Sequence, residues 1–307
     1  MAASPLIQLP YGRPTPNADF YITSYSGTPR IAASAWHLKL HGLVAHPLVL
    51  SYDEVKAQPR IRETLTYECI SNTPDGSAIS SAVFTGTPLK PLLERAGIRG
   101  GAVYASMHAA DGYYTGVPID EILHQDTFLL YEMNGVPLPP IHGYPVRIFI
   151  PGKYGMKQPK WITEISFVDQ KFTGYWEARG WSNEAWRQVN SGFFHPRPEW
   201  SAFSFFAAPS AKLPPGPTEL WGWAFARRGI KRVQISTDGG ATWHDAELVE
   251  NMSPNIWTVW KCPFTPKRGS YQLRARATGA SGQTQPPTST QTGSGMDGQA
   301  QLTVDVA

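Results

Sequence analysis

Turn-forming residues interrupt this sequence too often for long helices to form. The 307 residues include 28 glycines and 28 prolines, spread between short runs that are rich in valine, isoleucine and aromatic residues. Glycine and proline form turns and end helices, whereas β-branched and aromatic residues favour strands. We therefore expect a β-rich fold of the α+β class, in which the helices are short and peripheral.

Local patterns in the first half of the chain support this expectation. Residues 36–42 alternate between apolar and polar side chains, which predicts a half-buried strand. Ser51 precedes two acidic residues and predicts the start of a short helix. Residues 88–96 carry leucines at helical spacing and are followed by a glycine, which predicts a second helix. The pair Asn134-Gly135 predicts a hairpin turn.

A change of composition near residue 200 predicts a domain boundary. Residues 195–219 contain clustered prolines, which are typical of a stiff linker. From residue 220 onward, short alternating runs are separated by turns, which predicts an antiparallel β-sandwich. We expect a first domain over residues 1–200, a linker over 201–215 and the sandwich over 216–307.

The charge pattern excludes some classes of partner. The formal net charge is +3, and no block of like charges occurs, so the clustered basic face of a nucleic-acid-binding protein is not expected. No apolar run approaches the roughly 20 residues that a membrane-spanning helix needs. The first residues do not form a leader pattern, which predicts either a protein used where it is made or one that has lost an export signal.

One of the two cysteines lies where a strand-like run enters an irregular loop. Residues 64–67 have strand character, and Cys69 opens a segment rich in Ser, Asn, Pro, Asp and Gly. A buried cysteine is usually a small hydrophobic residue, and a disulfide with Cys262 is a second alternative. From the residues alone, these two alternatives and a functional thiol all remain open.

A second block gathers basic residues around a Pro-Gly turn. It runs from His142 to Trp161 and contains Arg147 and several lysines, with a further glycine at residue 155. Arginine and lysine bind phosphate, and glycine allows the backbone to approach a ligand closely. The block predicts an anion site, with a solvated basic loop as the alternative.

Together the two blocks resemble bacterial molybdopterin-dependent oxidoreductases of the sulfite oxidase family. The resemblance rests on Tyr-Glu-Cys-Ile-Ser-Asn at 67–72, on the segment 83–97, and on the basic block. It implies that Cys69 is the protein's one sulfur ligand to molybdenum and a catalytic residue. It also implies that the final hundred residues form an immunoglobulin-like domain through which the chain makes a homodimer.

The resemblance further implies a set of cofactor contacts. In the basic block it assigns the pterin and its phosphate to His142, Arg147, Gly155, Lys157, Gln158 and Lys160. Gln158 stands where the family usually has a serine, and Lys157 where it has an arginine. Asp111 resembles a family position near the site. Tyr175 is the closest candidate for a tyrosine beside the metal, with Thr173 as the other choice of register.

The implied activity is oxygen-atom transfer on a small sulfur compound, first of all oxidation of sulfite to sulfate. With no haem-attachment motif in the chain, the electrons would pass to an external carrier such as a c-type cytochrome. The family places the protein in the periplasm if a leader was removed, and a cytoplasmic location follows if Met1 is the native start.

Two departures from the family bear on the substrate. Arginines that help to hold an anion are replaced by Thr-Pro-Asp-Gly at 73–76 and by Thr-Ser-Tyr at 23–25. The alternatives are therefore a molybdoenzyme that reduces a sulfoxide or another oxo acceptor, and an interaction protein without a cofactor. A hydrolase is not expected, because neither Gly-x-Ser-x-Gly nor His-Glu-x-x-His occurs.

Overall fold

The computed structural model describes residues 14–199, 209–250, 253–289 and 293–307, which form two compact units. The first, here called the mixed unit, contains residues 14–70 and 79–186. The second, here called the sandwich unit, contains residues 71–78 and the described residues from 187 onward. In the described part of the chain, no helix is both long and apolar enough to cross a membrane.

The mixed unit combines two β-sheets with short helices, as the α+β class predicts. Its elements are β1 His37–Gly42, β2 Leu48–Ser51, α1 Tyr52–Lys56, β3 Ile61–Glu68, β4 Ile79–Pro88, α2 Lys90–Ala96, β5 Tyr104–Ala109, β6 Tyr114–Pro118, α3 Ile119–Ile122, β7 Phe128–Met133, β8 Val136–Pro137, β9 Arg147–Phe149 and β10 Ile162–Val168. One sheet has the order β2-β1-β10-β5-β6, with β1 and β10 parallel. The other has the order β3-β4-β7-β8, and β9 also pairs with β7.

The local sequence signals are confirmed. At the start of α1, Ser51 and Glu54 form a reciprocal capping box. Helix α2 ends at Gly97, whose φ of 66° requires the left-handed conformation that glycine adopts without strain. Asn134 and Gly135 join β7 to β8 with φ values of 51° and 83°, as a tight hairpin turn requires.

Strand β9 delivers a charged residue into the interior. Val146, Ile148 and Ile150 lie in the core beneath the first sheet, and Phe149 lies in the core of the second. Arg147 therefore faces away from Val146 and Ile148. The side of the strand that carries Arg147 is nevertheless enclosed, and Arg147 is only 5% exposed.

The sandwich unit has two sheets that share one apolar core. Its strands are β11 Asn190–His195, β12 Ser210–Leu213, β13 Thr218–Phe225, β14 Ile230–Ser236, β15 His244–Asp245, β16 Glu247–Glu250, β17 Thr258–Phe264, β18 Gly269–Gly279 and β19 Ala300–Val306. The sheet orders are β11-β13-β17-β16 and β12-β19-β18-β14-β15. The pairs are antiparallel except for β12 with β19. A two-sheet sandwich is thus present, and its immunoglobulin-like type stays a prediction.

The predicted boundary at residue 200 needs correction. The chain divides between residues 186 and 187, because β11 pairs with β13 on the far side of the proline-rich segment. The loop 71–78 also belongs to the sandwich unit. Residues 201–208 of the predicted linker lie outside the described residues, and its later part contains β12.

Three tryptophans of the sandwich unit lie inside it. Trp223, Trp257 and Trp260 are buried, with exposed fractions of 2%, 8% and 0%. The Nε1 group of Trp260 donates a hydrogen bond to the carbonyl oxygen of Trp223 at 3.0 Å. These side chains therefore stabilise the core of the unit and are not available as contact surface.

Candidate active site

Cys69 follows directly after β3 and is partly exposed. Neither Cys69 nor Cys262 is in a disulfide, and Cys262 packs in the core of the sandwich unit. The disulfide alternative is therefore excluded. The partial exposure also separates Cys69 from an inert core cysteine.

Two phenol groups lie near this thiol. The pKa of Tyr21 is raised well above its usual value, first by burial and then by the negative charge that a Cys69 thiolate carries. Burial also raises the pKa of Tyr113, with smaller contributions from Glu177 and Cys69. The Tyr113 hydroxyl donates a hydrogen bond to the Met156 carbonyl at 2.6 Å. Both phenols are therefore neutral hydrogen-bond donors in the surroundings of Cys69.

The glycine at residue 155 brings the basic block close to the cysteine segment. A Cβ atom there would lie 3.1 Å from the Tyr21 hydroxyl and 3.5 Å from the carbonyl oxygen of Glu68, the residue before Cys69. The next residue, Met156, packs in a cluster with Ile70. The structure thus brings together the two blocks that the sequence indicated separately.

Arg147 offers a buried donor to this region. Its guanidinium carbon lies 3.9 Å from the centre of the Tyr67 ring, and Nη1 donates to the His142 carbonyl at 3.1 Å. Its Nε group is buried without a hydrogen-bond partner among the described residues. Buried donors are normally satisfied, so this orphaned group indicates a missing acceptor.

His142 is held as a neutral acceptor. Its Nε2 lies 2.8 Å from the carbonyl oxygen of Asn17. Because a carbonyl can only accept, Nε2 carries the hydrogen, and Nδ1 of the neutral ring is an acceptor. Burial lowers the pKa of His142, and the positive charges of Arg147 and Lys160 lower it further.

The ammonium group of Lys160 makes two hydrogen bonds within the protein. Its Nζ donates to Ser24 Oγ at 2.9 Å and to the Ile141 carbonyl at 3.0 Å. An ammonium group has three N–H donors, so one remains unused by these contacts. Burial lowers the pKa of Lys160 to about 8, Arg147 lowers it too, and Asp111 opposes the shift.

Lys157 and Gln158, both predicted cofactor contacts, are occupied within the protein. Lys157 Nζ donates to Glu177 Oε1, to the Gly116 carbonyl at 2.8 Å and to Asn183 Oδ1 at 3.4 Å. Gln158 accepts from the Ile150 N–H at 3.1 Å and donates to the Lys153 carbonyl at 2.8 Å. Both side chains thus have hydrogen-bond partners within the protein, and the contact of these two residues with the cofactor stays a prediction.

Asp111 contacts Tyr113, and Tyr175 is linked to Tyr113 through Tyr25. Asp111 accepts a hydrogen bond from the Tyr113 N–H at 3.0 Å, and burial raises its pKa. The Tyr175 ring lies 4.4 Å from that of Tyr25, which in turn lies 6.0 Å from the Tyr113 ring. Tyr21 and Tyr113, which the sequence did not single out, are two phenols whose pKa values are raised in part by the charge of Cys69. Tyr113 adjoins the turn at Asp111, which was the one available signal.

The donor set fits a metal that brings most of its own ligands. No three His, Cys, Asp or Glu side chains gather into a metal-binding group in the part of the chain that the structure describes. Cys69 alone offers a soft thiolate, which suits metals bound through sulfur. Arg147 and Lys160 supply positive donors for a phosphate, and His142 supplies an acceptor for a ring N–H. These residues fit an anionic organic group that carries its own metal.

Comparison with known proteins agrees with this chemistry. The family described as "Oxidoreductase molybdopterin binding domain" matches residues 25–176. An uncharacterized oxidoreductase of Bacillus subtilis, YuiH, is 36% identical over 146 residues, which are 48% of this chain and 72% of that protein. Rat mitochondrial sulfite oxidase is 26% identical over 294 residues, covering 80% of this chain and 52% of that protein. Chicken sulfite oxidase is 27% identical over 304 residues, covering 83% and 64%.

A solved structure shows the same fold. The sulfane dehydrogenase SoxCD of Paracoccus pantotrophus superposes with a TM-score of 0.81 at 21% identity, covering 98% of this chain and 85% of that one. At this identity the likeness shows the fold alone. The chain spans between half and two thirds of the length of the two vertebrate sulfite oxidases.

Proposed function

Because this chain belongs to the molybdopterin-binding oxidoreductases of the sulfite oxidase family, we propose that it transfers an oxygen atom to or from the sulfur of a small compound. It is an oxidoreductase, and its cofactor is molybdopterin-bound molybdenum. The first candidate reaction is oxidation of sulfite to sulfate. The observation that carries the proposal is a partly exposed Cys69 beside a basic block whose Arg147 Nε has no partner among the described residues.

We assign a role to each side chain that can reach the cofactor. Cys69 would bind the metal through its sulfur, as the family resemblance implies. Arg147 and Lys160 would bind the phosphate, and the unprotonated Nδ1 of His142 would accept a hydrogen bond from the pterin ring. When bound, the molybdenum cofactor supplies two-electron oxygen-atom transfer, and the protein supplies orientation and electrostatics.

Of the two phenols near Cys69, we propose that Tyr21 acts on the substrate, because Tyr113 uses its one O–H donor on the Met156 carbonyl. Tyr21 and Tyr113 remain protonated at neutral pH because their pKa values are raised. A neutral hydroxyl donates a hydrogen bond to a substrate oxygen without adding charge to the site. We propose that Tyr21 orients an oxygen of the substrate and that Tyr113 is held in place by its bond to Met156.

A direct test uses protein from a host that makes the cofactor. Sulfite should reduce cytochrome c in the presence of the wild-type protein, and the Cys69→Ser variant should lose this activity. The Cys262→Ser variant is the matched control and should keep it. Molybdenum-loaded wild-type protein that does not turn over sulfite would rule out the first candidate reaction.

A second candidate is reduction of a sulfoxide or a related oxo acceptor. It is favoured by the missing arginines at 73–76 and 23–25 and by the neutral phenols, which suit an uncharged substrate better than a sulfite anion. In the same preparation, a sulfoxide should then oxidise a reduced viologen dye while sulfite has no effect. The opposite pattern would leave sulfite oxidation as the activity.

The partners stay proposals as well. We propose an external electron carrier such as a c-type cytochrome, because the two cysteines lie far apart in the sequence and form no haem-attachment motif. A homodimer through residues 216–307 is proposed from the family resemblance. Light scattering of the full chain tests it, and a monomer at micromolar concentration would contradict it.

A further inference from the structure

Two lysines in the stretch 151–160 are fully buried, and each faces a glutamate. Lys153 Nζ lies 2.7 Å from Glu121 Oε2, and Lys157 Nζ is paired with Glu177 Oε1. Both lysine side chains have an exposed fraction of 0%. A fully buried charge is rare unless it is paired, so these contacts account for the position of both lysines.

The surroundings of Glu177 are built around this pair. Its Oε1 accepts a second hydrogen bond from Thr115 Oγ1 at 2.7 Å. A Cβ atom on Gly174 would lie 2.5 Å from Oε2, so the carboxylate occupies space that only a glycine leaves open. Glu177 begins a short 3-10 helix, Glu177–Arg179, which the pair joins to the segment that carries Lys157.

Lys157 therefore has no free donor for a ligand. Its three N–H groups face Glu177, the Gly116 carbonyl and Asn183. A cofactor phosphate could recruit this ammonium group only by breaking the buried pair, which would leave the Glu177 charge uncompensated. The family resemblance assigned Lys157 to the cofactor because an arginine usually stands there, whereas the contacts of Lys157 favour a role within the protein.

Lys157 lies on the 3-10 helix Gly155–Lys157, between the close-approach glycine and the residues that lead to Lys160. We propose that Lys157 is a positioning residue. Its bond to the Gly116 carbonyl anchors this helix to β6, its pairing with Glu177 anchors it to the helix Glu177–Arg179, and it thereby holds Gly155 and Lys160 where they can meet the cofactor. Two further contacts hold the same helix. The Tyr113 hydroxyl donates to the Met156 carbonyl, and the Gln158 side chain donates to the Lys153 carbonyl in the turn that precedes the helix. Glu177 thereby becomes as important for cofactor retention as the basic residues.

The proposed role of Lys157 rests on the proposed function only through the cofactor, so its test does not depend on the substrate. The pterin retained per chain is measured by fluorescence after oxidative release from purified protein. The thermal unfolding midpoint of the same chain is measured after expression in a host that cannot make the cofactor. A protein that turns over neither sulfite nor a sulfoxide still gives both readouts.

The Glu177→Gln variant distinguishes most clearly between Lys157 as a positioning residue and Lys157 as a direct phosphate contact. This substitution keeps the size of the side chain but removes the charge that holds Lys157. If Lys157 positions the helix, Glu177→Gln should lower pterin retention by about tenfold, as the loss of partners behind a metal site typically does. If Lys157 is a direct phosphate contact, freeing it should leave retention equal or raise it, and that result would overturn the proposal.

A second experiment replaces Lys157 and Glu177, singly and together, with uncharged methionine. Lys157→Met and Glu177→Met should each lower the midpoint and the pterin content, because each leaves one buried charge unpaired. The double variant should recover pterin to within about threefold of the wild type. Pterin as low in the double variant as in Lys157→Met would show that the ammonium group itself binds the cofactor.

Lys160→Met is the control. It should lose pterin without a lower thermal unfolding midpoint. A fall in its midpoint as large as that of Lys157→Met would remove the distinction between the two lysines.

Discussion

The two cysteines of this chain lie in opposite surroundings. Cys262 is buried in the apolar core of the sandwich unit, where burial raises the pKa of its thiol. Cys69 is partly exposed and lies near two neutral phenols, Tyr21 and Tyr113, whose pKa values respond to its charge. The comparison teaches that strand position alone does not distinguish a structural thiol from a functional one, whereas the polar groups around it do.

The two units also differ in where their buried charges lie. In the mixed unit, Arg147, Lys153 and Lys157 are buried and all come from the basic block. The sandwich unit buries Asp75, Arg187 and Asp297 beside an apolar core, and these three residues lie far apart in the sequence. Because a buried charge is expensive unless it is paired, the concentration of buried charges in one short block marks that block as a candidate for binding.

The largest expected effect separates the two thiols. Cys69→Ser should lower the molybdenum content of purified protein by more than about tenfold, because the single protein sulfur ligand is lost. Cys262→Ser should keep its molybdenum and lose on the order of 1 kcal/mol of stability, because a polar hydroxyl enters an apolar core. Metal analysis and thermal unfolding check both, and equal molybdenum in the two variants would remove the contrast.

Arg147 tests whether the orphaned donor binds the cofactor. Arg147→Met should lower pterin retention by about tenfold or more, since a charge-assisted contact to phosphate is lost. Arg147→Lys keeps the positive charge but loses the planar guanidinium group with its paired donors, so this variant should retain an intermediate amount of pterin. If Arg147→Met binds as much pterin as the wild type, Nε has no acceptor in the cofactor.

The charge of Lys160 predicts a pH dependence of cofactor binding. Burial lowers the pKa of Lys160 to about 8, so the free protein loses this positive charge as the pH rises through that value. Affinity for an anionic pterin should be full below pH 8 and fall above it, by at most about tenfold per pH unit for one proton. Lys160→Arg stays charged and should flatten the profile between pH 7 and 9. A wild-type profile that is already flat in this range would contradict the assignment.

The smallest effect concerns Asp75 in the sandwich unit. Its carboxylate accepts a hydrogen bond from the Phe193 N–H at 2.6 Å, and burial raises its pKa well above the usual 3.8. The folded state therefore favours the protonated form. The stability contribution of Asp75 should be full below about pH 3.8 and be lost as the pH rises through the raised pKa, with a slope of at most about 1.4 kcal/mol per pH unit.

Asp75→Asn keeps the acceptor and removes the titration. The difference in unfolding free energy between this variant and the wild type should therefore change with pH in that window and be constant below it. Denaturant titrations at several pH values measure the difference. A difference that does not change with pH would mean that Asp75 has an ordinary pKa.

Much of the fold could be predicted because the signals are local. The capping box at Ser51, the glycine after α2 and the Asn134-Gly135 hairpin each depend on residues within one turn of each other. The alternation in β1 and in the strands of the sandwich likewise follows from neighbouring residues. The domain boundary was wrong because it depends on β11 pairing with β13, across a segment whose composition alone suggested a linker.

The sequence indicated the candidate ligands of the site but not the residues that support them. Cys69, Arg147 and Lys160 stand in recognisable blocks of sequence. A basic residue in such a block looks like a ligand contact, and only the structure shows that Lys157 faces Glu177 instead. Asp75 was considered as a change in the anion site, yet its carboxylate bonds to β11. Tyr21 comes from a distant segment, so no motif could link it to Cys69.

The most direct test of the role of Cys69 is X-ray absorption at the molybdenum edge on cofactor-loaded protein. The wild type and Cys262→Ser should show the same number of sulfur neighbours around the metal, and Cys69→Ser, in whatever fraction retains metal, should show one fewer. An unchanged sulfur count in Cys69→Ser would mean that this thiol does not bind molybdenum.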